Sequence, residues 1–298
     1  MMPSVNLVYE EFATSGLGDR LIDLYLLSCI GYSRPEVGKI IVPWRAFNRD
    51  AAHDSVPEYR FEDIRLSNVL KHMRFPQNIV VVDTDTQHSV DSDLPVTRAR
   101  YTTNGAAKWI FDIDRDKNLR RFHGEVLSDV PYETVVAASK RSLSEFVFTN
   151  ETTSLVSHLM QEPYAALHIR RTDKVRASRA DEFMIDFSEL DLLNQKTYDA
   201  IEFAVSELGI SRFYVCSDDD SAAKPFVDRL VELNCSVIPT PNVQKWKTTY
   251  CDLFLMSKAQ MIIQSQKASV FSNIASLIGN VRLLNVLNSS FSKSELTS

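Results

Sequence analysis

From Pro163 to Val286 the chain alternates short apolar runs with amphipathic stretches, and this alternation limits the folds open to it more than any other feature. Tyr164 to Ile169, Arg212 to Cys216, Ser236 to Pro239, Met261 to Gln264 and Arg282 to Val286 read as strands. Between them lie a helix with Tyr198, Ile201, Val205 and Leu208 on one face, ended by Gly209, and a second carrying Phe226, Val227, Leu230 and Leu233. Two more run from Asp252 to Lys258 and from Ser269 to Ile278. Strands that alternate with helices call for a parallel sheet covered on both faces, so this segment predicts a doubly wound α/β unit.

The N-terminal half repeats the order less regularly. Val5 to Tyr9 reads as a strand, Ser15-Gly16-Leu17-Gly18-Asp19-Arg20 as a glycine turn, and Leu21, Leu24, Leu27 and Ile30 as an apolar helix. Lys39 to Pro43 and Ile79 to Asp83 are further strands, while Thr84 to Phe122 is polar, aromatic and irregular. A helical pattern from Ser142 to Met160 is broken by Gln161-Glu162-Pro163, because proline resists helix continuation. At 298 residues one core would be too large. The expectation is therefore an N-terminal Rossmann-like, acceptor-side domain over 1–160, a C-terminal Rossmann-like donor domain over 161–287 and a mobile tail over 288–298.

A net charge of −6 argues against general nucleic-acid binding, which needs a basic face. No stretch reaches membrane-spanning apolar length and no signal-peptide pattern opens the chain, so a cytoplasmic protein without a transmembrane segment is expected. Cys29, Cys216, Cys235 and Cys251 share no metal-ligand spacing and read as reduced, small hydrophobic residues.

The densest chemistry is Leu167-His168-Ile169-Arg170-Arg171-Thr172-Asp173-Lys174, an apolar strand that runs straight into charge. Ligands of open α/β sheets bind at the carboxyl ends of strands, where this cluster falls. Adjacent arginines point to opposite sides, so one can clamp an anion while the other pairs with a group such as Asp173. Gly16 and Gly18 allow either a close approach of backbone to a diphosphate or a tight turn at positive φ. Asp218, Asp219 and Asp220 superficially resemble a metal-binding acidic motif, but an acidic loop before a helix also caps amides. We read Asp218 and Asp219 as loop residues and expect no metal site. Trp44, at a strand exit beside Arg45, is the aromatic expected to stack on a sugar; Phe47, Trp109 and Trp246 are further aromatics that could do so, and Trp246 could instead cover a base or plug the cleft. His53, His72, His88, His123 and His158 are read as surface or core side chains.

His168-x-Arg170-Arg171-x-Asp173-Lys174 resembles the signature of the α1,6-fucosyltransferases, both the core-fucosylating enzymes and the nodulation enzyme. Gly16-Leu17-Gly18-Asp19-Arg20 with Val42-Pro43-Trp44-Arg45 is similar to the nodulation enzyme's N-terminal pattern. Phe213-Tyr214-Val215-Cys216-Ser217-Asp218-Asp219 resembles the family's strand and Thr/Ser-Asp-Asp loop. Asp252 to Ser257 with Ser269 to Ser276 resembles its last motif, and also that of the α1,2-fucosyltransferases. The likeness is good over 164–280, moderate over 5–45 and slight over 46–160.

The resemblance implies a GT-B-like pair of Rossmann-like domains facing a cleft, and an inverting, metal-independent transfer of fucose from GDP-fucose to a glycan or glycolipid acceptor. GDP-fucose would be a co-substrate, with no cofactor. By the same match Arg170 would stabilise the β-phosphate, His168 and Asp252 would hold guanine, and Ser269, after one inserted residue, would contact phosphate. Arg171, Ser217, Asp218 and Asp219 would complete the donor site, and Asp173 and Lys174 would belong to the catalytic motif. Two departures stand out. The core enzymes' basic glutamate is replaced by Ser178, which cannot take a proton at neutral pH, so Asp181 or Glu182 in the same loop would substitute. The arginine after the final serine motif is missing, with Ser272 and Asn273 in that neighbourhood. Two other readings therefore stay open: a transferase using another nucleotide sugar, and a nucleotide- or glycan-binding relative without turnover.

Overall fold

A computed structural model describes residues 5–9, 16–44, 62–83, 96–99, 115–171, 175–176, 185–267 and 269–288. Contacts divide the chain into two compact units, Met1–Thr152 and Thr153–Ser298. Each is built on a parallel sheet, and both are Rossmann-like α/β structures.

The first unit contains β1 (Val5–Tyr9), α1 (Leu17–Ser33), β2 (Val37–Trp44), α2 (Leu66–His72), β3 (Met73–Arg74), β4 (Ile79–Asp83), β5 (Val96–Ala99), α3 (Arg115–Val126), α4 (Tyr132–Ser144) and β6 (Val147–Phe148). Helix α5 (Asn150–Val156) carries the chain into the second unit. The sheet order is β4-β2-β1-β5, every pairing parallel. Leu21, Ile22, Leu24 and Leu27 of α1 are all buried, each worth about 1.5–3 kcal/mol. A helix apolar on several sides needs cover beyond the sheet, and α4 supplies it, with Tyr25 Oη 2.7 Å from Ser139 Oγ.

The second unit contains β7 (Ala165–Ile169), β8 (Val175–Arg176), β9 (Ile185–Asp186), α6 (Leu190–Ser206), β10 (Arg212–Ser217), α7 (Asp220–Glu232), β11 (Ser236–Ile238), α8 (Lys245–Lys258), β12 (Met261–Ser265), α9 (Val270–Gly279) and β13 (Arg282–Asn285). The order β11-β10-β7-β12-β13 is parallel throughout. The chain winds outward from β7 through β10 to β11, then returns to β12 on the other side of β7. That reversal opens a crevice at the carboxyl ends of β7 and β12, the usual ligand position in such sheets.

Register decides which residues share a face. His168 lies between Cys216 of β10 and Gln264 of β12, so these three point to the same side. The opposite side, through Leu167, Ile169, Phe213 and Ile263, packs on α6 and α7. Helices α8 and α9 cover the His168 side. They approach so closely that a Cβ on Gly279 would lie 1.9 Å from Ser257 O, which only glycine avoids.

Four expectations change. The Ser142 to Met160 helix is really the end of α4, strand β6, α5 and a 3-10 turn at Ser157–Leu159. Val147 and Phe148 suit a pleated surface and pair antiparallel with Met73 and Arg74. Gly18, Asp19 and Arg20 belong to the first turn of α1, and Gly16 precedes it at φ −65°, so no left-handed turn forms there. The segment from 84 to 122 includes β5 and the start of α3. Helix α8 begins seven residues before Asp252, at Lys245. The four cysteines are buried and free, and no described helix is long and apolar enough to cross a membrane.

Candidate functional site

The crevice of the second unit is floored by polar side chains that the sheet has withdrawn from water. After Ile262 and Ile263, strand β12 ends in Gln264 and Ser265, and Gln266 follows. The Gln264 amide donates to Ser272 Oγ (2.6 Å), Asn273 Oδ1 (3.1 Å) and Ser269 O (3.2 Å). Its oxygen accepts from Asn285 Nδ2 at 2.5 Å, and the same nitrogen reaches Gln266 O and Lys267 O. A buried network satisfied this fully fixes the loop from β12 to α9.

Two atoms at that loop are left over. Ser269 precedes α9 at its N-terminus, is 2% exposed, and its Oγ has no hydrogen-bond partner among the described residues. Gln266 is 0% exposed and its Oε1 likewise has none, while its amide nitrogen lies 3.4 Å from His168 Nδ1. A buried polar atom without a partner costs about 1–3 kcal/mol, a cost that a bound ligand would remove. The N-terminus of a helix also favours an anion.

The two arginines do different work. Arg171 turns into the framework: its guanidinium donates to Ser265 O, to Ser265 Oγ (2.8 Å) and to Asn194 Oδ1 (3.2 Å). Burial lowers its pKa to about 10, opposed by the charges of Asp218 and Asp219. Both terminal nitrogens of Arg171 are thus used by the framework, while Asp173, its expected pairing partner, lies outside the described residues. Arg170, the first residue after β7, is only partly buried.

Asp218 accepts the Arg171 backbone N–H at 2.9 Å. Asp219 caps α7, accepting from Ser221 Oγ (2.6 Å), Ser221 N (2.9 Å) and Ala222 N (3.2 Å), and the Ser221 hydroxyl leads the causes that hold its pKa below the usual range. Ser217 Oγ closes the turn by donating to Asp219 O at 2.8 Å. These three bind the loop together.

Asp252 points from α8 towards β10, where it accepts the Tyr214 hydroxyl. The residue is partly exposed, but its carboxyl group is enclosed, and burial pushes its pKa up to about 6. Cys216 lies against it and is the register partner of His168, so His168 and Asp252 flank one thiol. Phe271 of α9 stands 5.9 Å from the His168 ring.

In the first unit, Trp44 is 2% exposed, donates to Ile64 O at 2.7 Å and lies under the Arg20 guanidinium at 4.8 Å. That removes it as a sugar platform. Gly16 has open space where a side chain would be, and Gly18 is buried in α1. Trp246 donates to Gln244 Oε1 at 3.1 Å and meets Tyr250 edge-on. His72 is a core residue with Nδ1 2.9 Å from Thr152 Oγ1. Arg45, Phe47, Trp109, Asp173, Lys174, Ser178, Asp181 and Glu182 lie outside the described residues.

Sequence reading missed Gln264, Gln266, Asn285 and Ser265. The available signal was polarity where an apolar strand ends: Gln-Ser-Gln after Met-Ile-Ile.

No protein-family model matches the chain, and no curated relative matches it. Solved structures do. The chain is similar to the fucosyltransferase NodZ from Bradyrhizobium, at 14% identity over 93% of this chain and 94% of that one, with a TM-score of 0.51. It is similar to NodZ alpha-1,6-fucosyltransferase co-crystallised with GDP, at 14% identity, 93% of each chain and a TM-score of 0.51. POFUT1 in complex with GDP gives 14% identity over 95% of this chain and 98% of that one, again at 0.51. At such identity the likeness concerns the fold, which is that of GT-B fucosyltransferases.

Proposed function

We propose that the chain is an inverting glycosyltransferase that transfers fucose from GDP-fucose to a hydroxyl of a glycan or glycolipid acceptor. The observation that carries this reading is the pair of buried, unmatched atoms Ser269 Oγ and Gln266 Oε1, set beside His168 at the start of α9. A diphosphate at that helix terminus would supply the serine with an acceptor and meet the positive end of the helix dipole. Further support comes from NodZ and POFUT1, whose folds this one resembles and which are known with GDP.

In this reading Asp252 accepts the N1 and N2 hydrogens of guanine, a pattern adenine does not offer, and His168 lines the same pocket. Arg170 stabilises the charge that develops on the β-phosphate as GDP departs, so no metal is required. Arg171 acts through Ser265 and Asn194 and holds the end of β7 in place. Asp173 and Lys174 belong to the reacting motif, and Asp181 or Glu182 takes the acceptor proton.

Thermal shift with nucleotides, followed by donor hydrolysis, tests the reading. GDP and GDP-fucose should raise the melting temperature while ADP and UDP do not, and GDP-fucose should be turned over at the same rate with EDTA present. Equal stabilisation by UDP would sink the guanine reading. Loss of turnover in EDTA, restored by manganese, would return the Asp218 to Asp220 loop as a metal site.

A further inference from the structure

Tyr214 is wholly buried on β10, two residues before Cys216 and on the same face. The hydroxyl of Tyr214 is committed to one partner, Oδ1 of Asp252, and so ties α8 to β10 below the nucleotide crevice. A carboxylate offers about four lone-pair positions. Tyr214 occupies one of them and the Cys216 thiol lies against the group as a second hydrogen-bonding neighbour, which restrains its rotation and leaves the remaining positions for two N–H donors.

We propose that Tyr214 is a positioning residue for the nucleotide base: by donating to Asp252 it fixes the carboxylate in the orientation that takes guanine N1–H and N2–H together. It thereby sets the preference for guanine over hypoxanthine, which lacks the 2-amino group. This rests on the reading of the crevice as a GDP-sugar site.

The arrangement also predicts a pH dependence. The groups facing Asp252 are Tyr214 and Cys216 from β10 and Lys245 from its own helix, with Cys251 adjoining it and His168 across the sheet from Cys216. Burial raises the Asp252 pKa to about 6, and the Tyr214 hydrogen bond, the Cys216 thiol and the Lys245 charge all oppose the rise. Only the ionised carboxylate accepts two N–H groups. GDP affinity should therefore fall as pH drops through that value, and without the Tyr214 hydroxyl the fall should begin at higher pH.

The test is calorimetric titration of GDP and inosine diphosphate, between about pH 5 and pH 8, into the unaltered chain, Tyr214→Phe, Asp252→Asn and the double variant. Tyr214→Phe should cut the preference for GDP over inosine diphosphate by about fivefold or more and move the pH midpoint upward. Asp252→Asn should abolish both the preference and the pH step, and adding Tyr214→Phe to it should change neither. A Tyr214→Phe protein with an unchanged preference and midpoint would overturn the proposal, as would an Asp252→Asn protein that keeps the pH step. If the unaltered chain binds neither nucleotide, the GDP reading of the site fails, and this inference with it.

Discussion

At the carboxyl ends of β1 and β2 the first unit buries an arginine among its own counter-charges, whereas at the carboxyl ends of β7 and β12 the second unit buries amides and hydroxyls. Arg20 is wholly enclosed between Trp44 and the field of Asp19, Asp23 and Asp63, and burial lowers its pKa to about 10. Asp23 and Asp63 are themselves buried. The Arg20 charge is opposed by carboxylates of the same unit. In the second unit, Ser269 Oγ and Gln266 Oε1 stay unmatched within a network whose other members are satisfied. The contrast lies in the chemistry of the two strand ends, an arginine among carboxylates in the first unit and a network of amides and hydroxyls in the second.

The comparison can be broken most sharply at Arg20. Truncation to alanine leaves Asp23 and Asp63 as uncompensated buried carboxylates, and should lower unfolding stability by about 3–5 kcal/mol. Urea denaturation would measure it, and the folded fraction should still respond to GDP. Loss of the GDP response with unchanged stability would reverse the roles given to the two units.

Arg170→Ala should do the opposite. Removing a partner of a desolvated phosphate costs about 2–5 kcal/mol of transition-state stabilisation, or roughly 30-fold to several thousand-fold in transfer rate. Lysine should not rescue it, because an ammonium lacks the planar fork. Sugar transfer at subsaturating donor is the measurement, and the melting temperature should hold. A folded variant with near-normal turnover would rule the role out.

Ser269→Ala is the mildest and most discriminating change. It deletes a buried hydroxyl that makes no hydrogen bond within the described protein, so stability should stay level or rise slightly. GDP affinity should fall by about tenfold or slightly more, the value of one hydrogen bond to a charged group at the low end of its range, about 1.5 kcal/mol. Unchanged affinity in a titration would mean that the hydroxyl does not meet the diphosphate.

Much of the second unit was legible in the sequence because its periods are local. The run Ala165 to Ile169 is apolar at every position but His168, which only a central parallel strand tolerates, and its charged exit marked the ligand end of the sheet. The first unit was less legible. Val147 and Phe148 sit inside a helical pattern, yet they pair with Arg74 and Met73, partners more than seventy residues away that no local window sees. Trp44 looked like a sugar platform because a strand exit is an exposed place on average; Arg20 and Ile64, brought from elsewhere in the unit, buried it.

The sequence by itself determined the alternation of strand and helix in the second unit, the parallel sheet which that alternation requires, and the place of Arg170 and Arg171 at the exit of β7. It could not say which arginine the framework takes up. That was decided by Ser265 and Asn194, which come from β12 and α6 to take up Arg171, and by the register that sets His168 between Cys216 and Gln264. Hydrogen bonds among residues distant in the chain are satisfied or left open only once the chain has folded, so the unmatched Ser269 Oγ and Gln266 Oε1 exist in the tertiary structure alone.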